Sequence, residues 1–265
     1  MQARHGTGGR KVGQGGFTLV EMAVVLVIIG VILGAVMIGR DVQRNAEYTR
    51  IKQKFVDQWV VSYNTYAQRL GAPVGDSQTA PQLMVNGSNF AGPSGGDMSA
   101  VTAPPAICGA NAPAAQYGVT AQAGEEFALR DLMLKAGITL PPGRGQGLED
   151  RYVYLDTNGN PQEVQICFQW NKPMTASGSG NVMVLTGLTP DLARALDQAV
   201  DGKPDAANGA FRQQNVVSTD NEGVVWLGNN TNSFGETGAA DNTADATATD
   251  DEQVLTLVAH YKMNQ

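Results

Sequence analysis

The spacing of hydrophobic and polar positions changes character twice along this chain. Met22 to Gly39 runs eighteen residues without a polar side chain. At ~1.5 Å rise per residue such a run spans roughly 27 Å as a helix, close to the ~30 Å hydrocarbon core of a bilayer. Beyond Gly39 the pattern turns amphipathic: Ile51, Phe55, Trp59, Tyr63, Tyr66 and Leu70 follow one another at helical spacing and mark one face. Gly71 suits a left-handed cap and Pro73 cannot continue the ladder. A long helix over 17–71 is expected, with 17–39 in lipid or helix packing and 40–71 laying its aromatic stripe on a globular domain.

From 72 to 123 the chain is rich in Gly, Pro, Ser, Ala and Asn and reads as one irregular connection. Residues 125–136, EEFALRDLMLKA, fit a short helix with its acids first and Lys135 near its end. YVYLD and EVQICFQW flank TNGNPQ, an Asn-Gly turn, so Arg151 to Trp170 reads as a hairpin. Val182 to Leu185 is a further strand, Thr189-Pro190-Asp191 opens a helix that runs to Gly202, and GVVWL and VLTLVAHYKM supply the last strands. The fold class is α+β: a long N-terminal helix on a C-terminal antiparallel sheet, with 72–265 as the globular part.

Charge and composition narrow the functions. The formal charge is -7, and no basic cluster lies outside the N-terminal third, which argues against a nucleic-acid partner. The only histidines are His5 and His260, and no GxSxG, Walker or HExxH pattern is present, so an enzyme is not expected. The N-terminus carries Arg4, Arg10 and Lys11 without an acid. An ordinary secretory signal would have a shorter apolar region and an A-x-A-like cleavage site, whereas this run ends in GAVMIGRDVQRNAEY. Net charge is about as positive after the apolar run as before it, so the positive-inside rule does not orient it.

Glu21 is the anomaly, a carboxylate at the edge of the apolar run with no basic neighbour in its own segment. The residues GQGGFTLVEMAVVLVIIGVILGAVM resemble the prepilin N-terminus of type IV pilins and type II secretion pseudopilins: a short basic leader ending in Gly, then Phe, Thr, Leu and a Glu. The resemblance is strong over residues 10–40 and architectural beyond. It implies that residues 1–16 are a leader removed by a prepilin peptidase between Gly16 and Phe17, and that the new Phe17 amine is N-methylated. It implies also that Glu21 neutralises the Phe17 ammonium of a neighbouring subunit during assembly. Many type IV pilins carry a proline midway along the apolar stretch; here only Gly30, Gly34 and Gly39 soften it.

The resemblance gives the expected role: a structural subunit, a minor or specialised pilin, of a type IV pilus-like filament. Its partners would be other pilin subunits, the prepilin peptidase, an inner-membrane assembly platform and the membrane. Its location would be the inner membrane with a periplasmic head before assembly, and a surface filament after it. A minor pseudopilin of a type II secretion system and a pilin-anchored adhesin or binding module are the alternatives. Without the sixteen-residue leader and its three positive charges, 249 residues with a formal charge of -10 remain, large for a major pilin.

Three further groups of residues invite chemistry. Cys108 and Cys167 either pair, which the export signal favours, or stay as buried thiols; a disulfide would tie the irregular segment to the hairpin. Asp156, Asn158 and Asn160 alternate like the first ligands of a calcium loop, but no bidentate Glu follows, and a hairpin turn accounts for them better. Asp201, Asp205 and Asn208 surround a tight loop that offers cation ligands, with a solvated turn as the plainer reading. Between Gln213 and Tyr261 there is no Lys or Arg, while Asp220, Glu222, Glu236, Asp241, Asp245, Asp250, Asp251 and Glu252 accumulate. No cofactor is expected, apart from calcium as an option in this acidic region.

Overall fold

A computed structural model of the chain describes residues 16–90, 92, 96–109, 129–217, 223–228 and 255–263. Two compact units meet at the Arg44–Asn45 bond: Met1–Arg44 and Asn45–Gln265. The first consists, in its described part, of three non-helical residues and the N-terminal portion of helix α1 (Leu19–Ile51). The larger unit holds the end of α1, α2 (Asp57–Leu70), the short α3 (Leu129–Lys135), α4 (Pro190–Asp201), and five strands: β1 (Arg151–Leu155), β2 (Pro161–Asn171), β3 (Gly180–Leu188), β4 (Phe211–Gln213) and β5 (Leu257–Lys262).

Helix α1 passes into α2 through one π-helical turn, Lys52–Val56, which the sequence reading did not foresee. The turn takes in one extra residue, so Asp57 N–H reaches back to the Lys52 carbonyl and Lys52 Nζ meets the Asp57 carboxylate at 2.9 Å. The expected end is present: Gly71 adopts φ 72° and donates to the Ala67 carbonyl, a left-handed cap that glycine reaches without a Cβ penalty.

The sheet is antiparallel throughout, in the order β1-β2-β3-β5-β4. Alternation along each strand sorts its side chains to two faces. Val164, Ile166 and Phe168 of β2, Met183 and Leu185 of β3, and Leu257 and Ala259 of β5 join the main core together with Tyr48, Ile51, Phe55, Trp59, Tyr63 and Tyr66 from the helix. Ring contacts seal this interface. Phe168 lies 5.0 Å from Tyr63 in a stacked arrangement and 6.2 Å from Trp59, while Phe55 meets Tyr152 at 5.4 Å. Each such side chain contributes about 1.5–3 kcal/mol by leaving water, and this apolar burial holds the helix on the sheet.

The opposite face of the sheet carries a smaller apolar cluster of Cys167, Val182, Val184 and Val258 with Cys108. Cys108 and Cys167 are disulfide-bonded. Beside the disulfide, Ile107 pairs with Phe168 through both backbone hydrogen bonds, and Leu129 N–H donates to the Cys108 carbonyl, so the bond fastens an irregular segment and the start of α3 to β2. Replacing both cysteines by serine is expected to lower the unfolding free energy by about 2–4 kcal/mol. A urea midpoint equal to that of the unaltered protein would contradict this.

The hairpin forms as expected. Asp156 accepts from the N–H groups of Asn158 and Asn160, and Gly159 takes φ 84°. Thr189 caps α4 by accepting from Leu192 N–H, with Pro190 at the first helical position. One expectation differs, and another is covered only in part. Only Leu129–Lys135 of the helix expected over 125–136 is described as helical, and its start lies outside the described residues. Residues 223–227, expected as a strand, form an irregular segment outside the ladder. The Gln213 side chain takes the place of a strand partner there, accepting from Leu227 N–H and donating to the Leu227 carbonyl, while Ala206 N–H donates to the Val224 carbonyl.

Candidate assembly segment

Helix α1 begins at Leu19, and the two residues that define its entry are Thr18 and Glu21. Thr18 N–H and Oγ1 donate to Glu21 Oε2 at 2.8 and 2.9 Å, and Glu21 N–H returns to Thr18 Oγ1 at 3.3 Å. This is a reciprocal capping box, which satisfies amide groups that a helix start leaves without intrahelical partners. The sequence reading missed it. Its signal was present, since Thr18-Leu-Val-Glu21 directly before an apolar run is the T-x-x-E pattern. Glu21 therefore has a local partner within its own chain, in addition to any it meets in an assembly.

Beyond the box, Leu19, Val20, Leu26, Val27, Val31, Ile32, Leu33 and their neighbours are exposed along the helix. An apolar surface of this extent is a place where lipid or another protein binds. Among the described residues, the Leu19–Leu70 helix is the one whose length and composition allow it to cross a membrane, and the qualifying window has none of its surface buried. A Cβ added at Gly30, Gly34 or Gly39 meets nothing within 4 Å, so no packing among the described residues explains these glycines. Gly16 and Phe17 precede the helix and are both exposed, Phe17 to 79%, so the bond between them is sterically open.

The larger unit offers fewer candidates. His260 is fully buried, and its Nδ1 is hydrogen-bonded with Ser177 Oγ at 2.7 Å and Asn171 Nδ2 at 3.0 Å. Burial pushes its pKa down to about 3, so it stays neutral and serves as a hydrogen-bonded core residue. The Asp156 turn is likewise structural: burial works against its ionised form, but the Asn160 and Asn158 amides and the Gln162 side chain outweigh it and hold the carboxyl below its ordinary range.

The loop after α4 spends its oxygen atoms on its own backbone. Asp201 accepts from Ala210 and Phe211 N–H, and Asp205 accepts from Ala207 and Gly223 N–H and from Asn208 Nδ2. These residues act as loop ties. No group of three or more His, Cys, Asp or Glu side chains able to hold a metal occurs among the described residues. The acidic residues from Asp220 to Glu252, with the calcium option they raised, lie outside the described residues.

Residues 11–37 match the family model described as the prokaryotic N-terminal methylation motif. No curated protein and no solved structure matches the chain. The matched span takes in Gly16, Phe17, Thr18 and Glu21 and nearly all of the exposed apolar surface. The chain thus carries the N-terminal methylation signal of type IV pilins and pseudopilins, and joins it to an α+β fold of pilin-like architecture.

Proposed function

We propose that this protein is a structural subunit of a type IV pilus-like filament, a minor or specialised pilin that assembles through its apolar helix. A prepilin peptidase removes residues 1–16, the Phe17 amine is methylated, and other pilin subunits and an inner-membrane assembly platform are its partners. The observation that carries this reading is the coincidence, within residues 11–37, of the methylation motif with a capped helix that carries a long exposed apolar surface. Before assembly that surface would lie in the inner membrane, since about twenty apolar residues suffice to span it. Catalysis plays no part in the proposal. The one histidine left after cleavage is locked in the core, and the motif itself suggests a structural protein.

The reading is tested by shearing native cells and blotting the released filaments and the washed membranes separately with an antibody to the larger unit. A pilin is expected in the sheared fraction. Processed chain confined to membranes would favour the pseudopilin alternative and defeat the pilus assignment.

A further inference from the structure

Helix α4 ends with carboxylates one turn apart. Asp197 is wholly enclosed, and its Oδ2 accepts from Asp205 N–H at 2.6 Å and from Trp226 Nε1 at 2.9 Å. Asp201, four residues on and therefore on the same face, holds the far side of the loop through Ala210 and Phe211 N–H. The remaining oxygen of Asp197, Oδ1, is buried and has no hydrogen-bond donor among the described residues. Its side-chain neighbour is the Asp201 carboxylate, itself an acceptor. A buried acceptor set against a second carboxylate, here the exposed Asp201, is repelled by it unless a proton or a cation lies between them.

We propose that Asp197 keeps its carboxyl proton in the folded protein up to near-neutral pH and donates it through Oδ1 to Asp201, making a carboxyl–carboxylate latch that pins Trp226 and the 223–228 segment to α4. The latch rests on the geometry of the larger unit alone and is independent of the pilin reading. The surroundings favour a proton over a metal ion. Both oxygens of Asp201 already accept backbone N–H groups, and no third ligand converges. Among the described residues, no positive charge is seen bound to the Asp197 carboxyl in place of the proton. In the loop, the charge of Lys203 acts on Asp205; on β4, Arg212 Nε is bound to the Gly209 carbonyl; from β5, Tyr261 faces the site; the 223–228 segment brings only the Trp226 indole. Burial is the main cause that drives the Asp197 pKa up, to about 7, with the Asp201 charge adding to it against the Asp205 and Trp226 N–H groups.

The sign of the pH dependence follows. An unfolded Asp ionises near 3.8, whereas the folded one holds its proton to about 7. Between these values the unfolded state binds fewer protons, so stability falls as pH rises, by at most about tenfold in the folding constant per pH unit, and then levels off. This is opposite to Glu149, Asp156 and Asp205, whose lowered values make stability fall as pH drops below the ordinary carboxylate range.

The test is urea unfolding of the full chain in detergent micelles between pH 4.5 and 8 (about three pH units across the linkage window), for the unaltered protein, Asp197→Asn and Asp201→Asn. Asparagine at 197 imitates the protonated acid, donating to Asp201 while its oxygen still accepts from Trp226. Asp197→Asn is expected to remove most of the decline with pH, leaving the share of Asp150, whose carboxyl burial also holds above its ordinary range, and to match or exceed the original stability at pH 8. In Asp201→Asn the new amide donates to an ionised Asp197, so the decline shifts toward the ordinary carboxylate range; this variant decides the matter if Asp197→Asn does not fold. A flat profile for the unaltered protein, a decline undiminished in Asp197→Asn, or one unmoved in Asp201→Asn overturns the proposal. So does a midpoint raised by calcium and lowered by EDTA, which would put a cation where the proton is placed.

Discussion

Glu21→Ala is expected to leave cleavage and membrane insertion intact while reducing incorporation into filaments by at least about tenfold, the scale set by one uncompensated charge in hydrocarbon. Gly16 and Phe17, where the proposed cut lies, are untouched by the substitution. Cleavage creates an ammonium at Phe17, and the proposed role of Glu21 is to neutralise that group on a neighbouring subunit. The capping box makes the alanine result ambiguous by itself, because Glu21 also accepts from Thr18 N–H and Oγ1. Glu21→Gln resolves the ambiguity: glutamine at this position preserves the box but carries no charge. If charge pairing governs assembly, the glutamine variant fails nearly as badly as the alanine one. Normal assembly of Glu21→Gln would reduce Glu21 to a helix cap. Quantitative blotting of sheared filaments against total processed chain reads both variants.

The second large effect lies in the larger unit. Phe168→Ala should lower the unfolding free energy by about 3–5 kcal/mol, the range for emptying an aromatic site in a packed core. Phe168 is fully buried at the centre of β2, and its ring meets both Tyr63 and Trp59 of α2. Domains are typically stable by only ~5–15 kcal/mol, so this loss is a large share of the total. The same residue's backbone pairs with Ile107 beside the disulfide, and those bonds survive the substitution, so the sheet should persist while helix and sheet separate more readily. Urea unfolding of the full chain in micelles measures the loss; a change below about 1 kcal/mol would mean that the aromatic stripe is not the main fastening.

The legibility of the chain follows from how local each signal is. The apolar run, the aromatic stripe, the Gly71 cap and the Asn-Gly hairpin are written in spacing and turn chemistry, and each appears where that chemistry places it. The π-turn was half visible. Steps of four residues overshoot a 3.6-residue turn by about 40° each, so the sequence Ile51, Phe55, Trp59, Tyr63 drifts around a regular helix. A turn with one extra residue, over Lys52–Val56, brings the face back. The GVVWL segment misled because its composition suits a strand, while the side chain of Gln213, rather than a backbone partner, satisfies Leu227.

The two carboxylate features differ in the same way. Thr18 and Glu21 form a recognisable short-range motif and were legible in principle. Asp197 was not, because ALDQAV reads as an ordinary helix with an exposed acid. Its burial depends on Trp226, 29 residues away, arriving to cover it. Long-range placement of this kind is invisible to local pattern. The cysteine pairing, in contrast, needed only the count of two and the expectation of an exported domain.

The measurement that bears most directly on the central claim is the intact mass of the chain purified from native cells. The account predicts a protein that begins at Phe17 and carries one added methyl group on its amine. A chain that retains residues 1–16 in every cellular fraction would contradict it.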